Sequence, residues 1–516
     1  MILSIDQGTT GTTVLVINRA GDIVGRAYAE FSQIYPQPGW VSHNADEIWR
    51  SSSAVIAEAI RDSGIRPADL AGIGIANQRE TTVIWDRRTG EPVHDAIVWQ
   101  CRRTADLCRR YRERGLDEMV RKKTGLVIDA YFSATKIVWL MENVPGLRLR
   151  AEAGDVCFGT IDTYLLFRLT GGDVHATDLT NASRTMCFNI HSREWDPDLL
   201  DAFNIPRAIL PEVHRSAHVF GSTRGAVPLP EGIPIAGIAG DQQAALYGQR
   251  GVNEGDVKNT YGTGCFALFH TGSNAFPSQN GLLTTLACDA RGGPAFALEG
   301  SVFSAGSAVQ WLRDGLGLIA DATETETLAR SVPDNGGVYL VPAFTGLGAP
   351  YWDPDARGTI VGINRGTERA HFARAALESI AYQSAALVDA MAADTGGPVA
   401  RMRVDGGASA NDFLMQFQAD ILDVPVIRPR HTETTALGAA MLAGLATGFW
   451  AGPDALSDIN PPERAFEPSM PKKDRDALLN RWRRAVRTAR RHGNPVSSDK
   501  EEGKRKKEKG RKEKRR

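Results

Sequence analysis

The start of the chain consists of two runs of buried-type residues separated by a polar turn. Ile2, Leu3 and Ile5 precede the turn, and aliphatic residues fill positions 14–17. Aliphatic and β-branched residues on both sides of a Gly-containing turn are typical of a β-hairpin. The turn at 6–11, with the sequence DQGTTG, adds a carboxylate and hydroxyls to its glycines. It therefore predicts either a plain turn or a loop that holds a phosphate chain and its metal ion.

The same pattern recurs in the second half of the chain. Residues 257–272, with the sequence VKNTYGTGCFALFHTG, contain an apolar strand, a Gly-Thr turn and a second apolar strand. Thr263 lies between two glycines in this turn, as Thr9 and Thr10 do in the first one. Two such hairpins predict that each half of the chain begins alike and that the halves face each other across a cleft.

Two further loops lie between a predicted strand and a predicted helix. In the segment 234–249, Asp241 follows an apolar strand and precedes an Ala-rich helix. A carboxylate there either caps the helix N-terminus or faces a ligand bound at that terminus. In the segment 403–417, Gly406 and Gly407 precede a helix, and paired glycines allow a flat ring or a ribose to lie close to the backbone. Neither loop has the Walker A or the G-x-G-x-x-G pattern.

Helical periodicity marks two long segments. In 371–391, Phe372, Ala376 and Ile380 recur four residues apart, and 411–421 shows the same spacing ahead of a proline. Short apolar strands with polar turns alternate with such helices along the chain. This alternation predicts an α/β fold built from layers of sheet and helix.

Length and composition limit the class of protein. A chain of 516 residues predicts two large domains, because single cores seldom grow beyond about 250–300 residues. No apolar run reaches the roughly 18 residues of a membrane span, and the N-terminus lacks the layout of a signal peptide. Six scattered cysteines form no CxxC pair, so we expect a cytoplasmic protein with reduced thiols. The ten histidines form no HExxH motif, so a protein-held zinc is not expected.

Charge is unevenly divided along the chain. The formal net charge is −1, yet residues 500–516 hold eleven Lys or Arg and four Glu. We expect 496–516 to form a disordered basic tail, because 500–516 contain no apolar residue to bury. Such a tail is either a solvated appendage or a weak binder of polyanions.

Seven blocks of sequence carry a resemblance to a known family. They are DQGTT, NQRETTVIW, IVWQCRRTA, TGLVIDAYFSATK, GDQQAALYGQ, NTYGTGCF and VDGGASANDFLMQFQADIL. Together they resemble the FGGY carbohydrate kinases of the actin-like ATPase superfamily, in particular the members that phosphorylate glycerol. The resemblance extends from residue 1 to about residue 490.

The resemblance implies two ribonuclease-H-like α/β domains that face a central cleft. Residues 1–248 would hold the polyol site and the first phosphate hairpin, and 249–495 the nucleotide site. The implied reaction transfers the γ-phosphoryl group of ATP to glycerol, with Mg²⁺ as cofactor, giving sn-glycerol 3-phosphate and ADP. We also expect a homo-oligomer, either a dimer or a tetramer.

The resemblance also assigns roles to individual residues. It implies that Asp241 is the catalytic base and that Asp6 lies near the metal. The polyol site would comprise Arg79, Glu80, Trp99, Tyr131, Asp241, Gln242 and Phe266. The nucleotide site would comprise Thr9, Thr10, Gly11, Thr263, Gly306, Gln310, Gly407 and Asn411. The residue types of the polyol site suit a short polyol, because Arg donates to hydroxyls, Glu and Asp accept from them, and aromatic rings cover the carbons.

The first hairpin departs from the family pattern. Gly11 and Thr13 stand where many relatives have Ser and Arg. The change removes a charge directed at the phosphates, so we do not expect the family's usual contacts to bind ATP tightly there.

Two other functions remain open at this point. One is a sister kinase for a longer substrate such as xylulose or gluconate, although the NQRETT and WQCRRTA blocks favour glycerol. The other is a non-catalytic nucleotide switch, as in actin-like filament or chaperone proteins. A panel of polyols with ATP decides between the two kinases, and sugar-dependent release of ADP eliminates the switch.

Overall fold

The computed structural model describes residues 1–225 and 228–493. Within these residues, no helix is both long and apolar enough to cross a membrane. All six cysteines are buried, and none forms a disulfide. The predicted tail at 496–516 lies outside the described residues.

The first half of the chain contains one large sheet, several two-stranded sheets and the helices around them. Its strands are β1 (Ile2–Gln7), β2 (Gly11–Ile17), β3 (Ile23–Glu30), β4 (Ser42–His43), β5 (Gly72–Asn77), β6 (Val83–Asp86), β7 (Ala96–Ile97), β8 (Val156–Gly159), β9 (Ala176–Asp178), β10 (Phe188–Asn189), β11 (Glu194–Trp195), β12 (Glu212–His214), β13 (Ala217–Ser222) and β14 (Pro234–Gly240). Its helices are α1 (Ala45–Ser63), α2 (Ala105–Glu113), α3 (Asp117–Thr124), α4 (Ser133–Asn143), α5 (Leu147–Ala153), α6 (Ile161–Leu169), α7 (Leu179–Ala182), α8 (Pro197–Phe203) and α9 (Asp241–Gly248).

The large sheet has the strand order β13-β14-β5-β1-β2-β3. β1 and β2 form the predicted antiparallel hairpin, whereas β5 pairs parallel with both β1 and β14. Asp6 is paired with Ala76 across β1 and β5, and Asn77 with Gly240 across β5 and β14. The carboxyl ends of three parallel strands therefore meet at one edge of the sheet.

The second half of the chain repeats this plan. Its strands are β15 (Asp256–Tyr261), β16 (Cys265–Gly272), β17 (Leu283–Cys288), β18 (Pro294–Val302), β19 (Tyr339–Val341), β20 (Thr359–Val361), β21 (Arg401–Asp405), β22 (Val426–Pro429) and β23 (Pro462–Phe466). Its helices are α10 (Gly306–Gln310), α11 (Glu324–Arg330), α12 (Arg369–Thr395), α13 (Asp412–Leu422), α14 (Thr434–Ala446) and α15 (Lys472–Gly493).

The two large sheets have matching topologies. The second has the order β17-β18-β16-β15-β21-β22-β23. From β18 to β23 its pairings are antiparallel, antiparallel, parallel, parallel and antiparallel. The first sheet shows the same series from β3 to β13. This match confirms that each half begins with an equivalent hairpin. The predicted domain division at 248 falls between α9 and β15 and stays a prediction.

Both predicted long helices are present. The segment 371–391 lies within α12, which starts earlier because the side chains of Glu368 and His371 form a reciprocal capping box. It ends at Gly396, whose φ of +68° places it in the left-handed region. α13 begins after Asn411, whose side chain accepts from the Leu414 N–H. Local capping chemistry thus fixes where these two helices begin.

Helices cover both sheets and join the two halves. One core lies between the first sheet and helices α1 and α6, and another between the second sheet and α12, α13 and α15. α14 packs against the first sheet and against α9. A Cβ on Gly438 would lie 1.9 Å from the Ala244 carbonyl oxygen, so only glycine allows this approach. The Ser4 hydroxyl donates to the Ala436 carbonyl at 2.6 Å, so the halves are in direct contact.

Candidate active site

The parallel strands of the first sheet bring charged residues to one edge. β1 ends beside Asp6, β5 leads into Arg79, and β14 leads into α9 at Asp241. In α/β sheets, ligands bind at the carboxyl ends of such strands. Arg79 Nε lies 3.0 Å from Asp241 Oδ1, so residues far apart in sequence form one cluster.

Arg79 and Glu80 are buried at the centre of this cluster. The Arg79 side chain is 2% exposed, and its Nη1 also lies 3.3 Å from Gln243 Oε1. Glu80 has a φ of +62°, a conformation that is uncommon for residues other than glycine and is often found at functional sites. Burial raises the pKa of Glu80, and the Arg184 guanidinium opposes this rise by donating to Glu80 Oε1 at 2.6 Å.

Two charged members of this cluster, Arg184 and Glu299, are not predicted from the sequence. Arg184 follows α7, and Glu299 lies within β18 of the second half. Both side chains are at most 2% exposed, and Arg184 Nη2 lies 2.9 Å from Glu299 Oε1. A carboxylate inside the otherwise uncharged strand PAFALEGSV was the available signal for Glu299.

Three aromatic residues form a wall beside the charged cluster. The Trp99 ring lies 5.5 Å from the Tyr131 ring and 6.3 Å from the Phe266 ring, between centroids. Trp99 Nε1 donates to Thr9 Oγ1 at 2.9 Å, which connects the wall to the first hairpin turn. Because Phe266 lies on β16, the wall contains residues from both halves.

Asp241 occupies the first position of α9 rather than its capping position. Gly240 is the N-cap residue, and no side chain caps this end. Asp241 Oδ1 accepts from the Gln242 N–H at 2.7 Å as well as pairing with Arg79. Its side chain remains 29% exposed, so a ligand can reach it. These contacts favour the ligand-facing alternative over simple capping.

Gln242 is held by a lysine from the second half. Lys258, on β15, is fully buried, and its Nζ donates to Gln242 Oε1 at 2.5 Å. Burial lowers the pKa of Lys258, whereas the nearby carboxylates of Asp405 and Asp241 oppose this effect. Lys258 is a third member of the site that is not predicted from the sequence.

Asp6 lies among other carboxylates. Burial raises its pKa well above the ordinary value, and the charges of Asp241, Glu433 and Asp405 raise it further. A divalent cation would relieve this repulsion. No group of three or more His, Cys, Asp or Glu side chains suited to a metal occurs among the described residues. Mg²⁺ is usually held by one or two carboxylates together with phosphates and water, and Asp6 offers a carboxylate of that kind.

The first hairpin turn explains why this chain has glycine at position 11. A Cβ on Gly11 would lie 2.6 Å from the ring and hydroxyl of Tyr28 and 2.7 Å from the Ala29 carbonyl oxygen. Thr9 is partly exposed and Thr10 is exposed at the same turn. The turn therefore offers hydroxyls and backbone groups next to Asp6, and Tyr28 fills the space that a side chain at position 11 would need.

The second hairpin turn is held against the start of α10. The N–H groups of Gly306 and Ser307 donate to the carbonyls of Gly262 and Thr263 at 3.0 and 3.1 Å, respectively. A Cβ on Gly306 would lie 2.7 Å from the Gly262 carbonyl oxygen. The structure thus brings the predicted residues Thr263 and Gly306 together. Gln310 lies exposed at the end of α10.

The remaining predicted nucleotide residues lie after β21. A Cβ on Gly406 would lie 2.5 Å from the Tyr261 carbonyl oxygen, so this loop packs against the end of β15. Gly407 has no atom within 4 Å of its Cβ position and leaves open space beside the backbone. Asn411 caps α13, and its Nδ2 donates to Thr325 Oγ1 at 3.3 Å. A nucleotide contact of Asn411 stays a prediction.

Two α/β domains of matching topology, with an ionic cluster on one sheet edge and glycine-rich turns on the other, define a two-domain phosphotransferase of the actin-like ATPase class. Residues 1–248 match the N-terminal domain of the FGGY family of carbohydrate kinases, and residues 257–447 match its C-terminal domain. The chain therefore belongs to the FGGY family of carbohydrate kinases, as its motifs predict.

Individual relatives agree with this assignment. The chain is 57% identical to glycerol kinase 2 of Thermotoga maritima over 485 residues, which cover 94% of this chain and 98% of that protein. The crystal structure of Plasmodium falciparum glycerol kinase with ADP matches with a TM-score of 0.89 at 38% identity, covering 95% of this chain and 98% of the other. A xylulose kinase from Lactobacillus acidophilus shares the fold at 21% identity, with a TM-score of 0.85 and coverage of 97% and 99%.

Proposed function

We propose that this protein transfers the γ-phosphoryl group of ATP to glycerol, giving sn-glycerol 3-phosphate and ADP. The observation that carries the proposal is the pair of Arg79 and Asp241, 3.0 Å apart beside a wall of aromatic rings. The relative at 57% identity is a glycerol kinase, and the matching Plasmodium structure contains ADP. Both relatives support glycerol as acceptor and ATP as donor.

The polyol site suits a short carbon chain with a hydroxyl on each carbon. Arg79 donates to a hydroxyl, while Glu80 and Asp241 accept from hydroxyls. Trp99 and Phe266 cover the CH edge of the same molecule. A site built around hydroxyls rejects analogues that leave its buried polar groups unpaired, so the same residues supply selectivity.

Asp241 takes the proton during transfer. The glycerol hydroxyl oxygen forms a bond to the γ-phosphorus, and the bond from that phosphorus to the bridging oxygen of ADP breaks. The hydroxyl proton passes to an oxygen of the Asp241 carboxylate. Arg79 orients that carboxylate through its Nε, 3.0 Å from Oδ1, and stabilises its negative charge before the proton arrives.

Both hairpin turns provide donors for the phosphates. Thr9, Thr10 and Gly11 supply hydroxyl and backbone donors in the first turn, and Thr263 supplies them in the second. Gly306, Gln310, Gly407 and Asn411 complete the nucleotide site. Mg²⁺, when bound near Asp6, neutralises charge on the phosphate oxygens. Closure of the two halves around both substrates excludes water as a competing acceptor.

A kinase for xylulose or gluconate is the alternative that we do not favour. The xylulose kinase shares only the fold with this chain, at 21% identity, whereas a glycerol kinase shares 57% of its residues. Membership of a carbohydrate kinase family also argues against a non-catalytic nucleotide switch. A homo-oligomeric state, a cytoplasmic location and weak binding of polyanions by the basic tail stay predictions.

The test is release of ADP from MgATP with and without glycerol, with xylulose and gluconate measured in parallel. We expect rapid release with glycerol and slow release without it, because water is excluded from the closed cleft. Release that is equally fast without any polyol would contradict closure. Faster release with xylulose or gluconate than with glycerol would overturn the substrate assignment.

A further inference from the structure

Glu299 contributes a carboxylate from the second half of the chain to the charged cluster of the first half. It lies on β18, between β16 and β17, where it is paired with Leu268 and Leu283. Its Oε2 lies 2.5 Å from Arg79 Nη1, and its Oε1 accepts from Arg79 Nη2 at 3.1 Å. The same Oε1 accepts from Arg184 Nη2 at 2.9 Å. One carboxylate therefore fixes two guanidinium groups.

Each of these guanidinium groups in turn fixes a carboxylate that we assign to the polyol site. Arg79 Nε pairs with Asp241 Oδ1 at 3.0 Å, and Arg184 Nε donates to Glu80 Oε1 at 2.6 Å. The orientations of both acceptors for glycerol thus depend on arginines that Glu299 holds. Planar guanidinium groups bound to a carboxylate have little freedom to rotate, which favours a single geometry.

Charge and burial make Glu299 difficult to replace. Arg79, Arg184 and Glu299 are each at most 2% exposed, so solvent does not compensate the two positive charges. Burial alone would raise the pKa of Glu299, but the guanidinium groups of Arg184 and Arg79 outweigh burial and hold the pKa at about 2. Glu299 is therefore ionised at neutral pH and pairs with both arginines.

We infer that Glu299 is a positioning residue for polyol recognition, through which the second half of the chain sets the orientation of Arg79 and Arg184. This inference rests on the proposed function, since it assigns the role through the glycerol site. It predicts that glycerol binding depends on contact between the halves as well as on the residues that touch glycerol. It also predicts that nucleotide binding is independent of Glu299.

The test compares Glu299→Gln with the wild-type protein in steady-state kinetics. Gln keeps the shape of Glu but removes the charge that holds both arginines. We expect KM for glycerol to rise at least about tenfold, as for loss of a hydrogen bond to a charged group. KM for ATP should stay unchanged, because the polar partners of Glu299 are Arg79 and Arg184 and none of the residues assigned to the phosphates. A Glu299→Gln protein that folds but keeps the wild-type KM for glycerol overturns the inference.

A matched control separates positioning from general loss of stability. Glu378, on α12, is also buried and pairs with Arg374, with Oε1 and Nε 2.8 Å apart. Glu378→Gln should leave both KM values unchanged, because Glu378 contacts no described residue assigned to either substrate. If Glu378→Gln raises KM for glycerol as much as Glu299→Gln does, the effect reflects a loosened second half and the inference is wrong.

A second variant covers the case in which Glu299→Gln does not fold. Glu299→Asp keeps the charge but withdraws it by one methylene, so it should also raise KM for glycerol selectively. An unchanged KM in a folded Glu299→Asp protein would then overturn the inference. Absence of glycerol-dependent ADP release from the wild-type protein would instead overturn the proposed function, so the two failures are distinguishable.

Discussion

The two halves of the molecule share a strand order but differ in the chemistry at the ends of their central strands. In the first half, that edge carries buried ionic side chains, with Arg79 and Asp241 at its centre. In the second half, the equivalent edge carries turns with small side chains at Thr263, Gly306 and Gly407, beside the buried carboxylate of Asp405. The same strand order therefore supports two different kinds of ligand recognition.

The difference follows from what each edge is proposed to bind. A small neutral polyol is recognised by side-chain donors and acceptors in fixed positions. A phosphate chain is large and anionic, and glycine-rich turns let backbone N–H groups approach it closely. Lys258, Phe266 and Glu299 are exceptions, because they belong to the second half yet contact residues of the first. These three residues couple the two edges.

The largest expected effect comes from removing the proposed base from the first edge. Asp241→Asn keeps the side-chain shape but cannot accept a proton at neutral pH. We expect correct folding, retained ATP binding and a loss of turnover of at least about a hundredfold. ADP release under saturating substrates measures this loss.

A capping aspartate provides the control for Asp241→Asn. Asp196 caps α8 by accepting from the Leu199 N–H at 3.1 Å, and Asn caps helices about as well as Asp. Asp196→Asn should therefore keep normal turnover. Near-normal turnover of Asp241→Asn as well would return Asp241 to a structural role and leave the reaction without a base.

The next effect concerns the contribution of Glu299 to the stability of the fold at low pH. The folded-state pKa of Glu299 is about 2, below the ordinary value of 4.5. Glu299 therefore stabilises the fold fully above about pH 4.5, and this contribution is lost as pH falls towards about 2. Glu299→Gln lacks it, so the free energy of unfolding should differ from wild type by about 1.5–3 kcal/mol at neutral pH. Denaturant titrations should show this difference shrinking below about pH 4.5.

Glu378 provides a control of opposite sign. Burial raises the pKa of Glu378, although Arg374 opposes the rise. The folded protein therefore binds a proton at Glu378 more readily than the unfolded chain does, so acidification favours the fold at this residue. Relative to Glu378→Gln, the wild-type protein should gain stability as pH falls. If the difference in unfolding free energy from wild type changes in the same direction with pH for both variants, the assigned ionic role of Glu299 is contradicted.

Local patterns predicted much of this fold, but not the residues that couple its halves. Both hairpins and helices α12 and α13 follow from turn glycines, periodicity and caps that lie within a few residues of each other. Arg79 and Glu299 are 220 residues apart, and no local pattern encodes their contact. The resemblance to a family supplied Arg79 and Asp241. It did not supply Lys258, Arg184 or Glu299, which are identified only by their contacts.

A smaller effect is expected on the second edge, at Gly306. A Cβ there would lie 2.7 Å from the Gly262 carbonyl oxygen, a backbone atom that cannot move without shifting the turn. Gly306→Ala should raise KM for ATP about tenfold through misplacement of the turn, with KM for glycerol unchanged. Gly397→Ala is the control, because its nearest atom lies 3.8 Å from the Cβ position. An equal rise in both KM values would show that the two edges do not act separately.

The smallest effect is expected at Gly11, in the first hairpin. A Cβ at this position meets both the Tyr28 side chain and the Ala29 carbonyl oxygen, at 2.6 and 2.7 Å. Tyr28 can leave its rotamer at a cost of about 0.5–1.5 kcal/mol, so Gly11→Ala should raise KM for ATP a few-fold. Adding Tyr28→Ala should restore only part of the loss, because the backbone oxygen remains in contact. Kinetics of the single and double variants measure both steps. Full restoration of KM for ATP would mean that the backbone of β3 shifts to make room for the added methyl group. Tyr28 alone would then require glycine at this position.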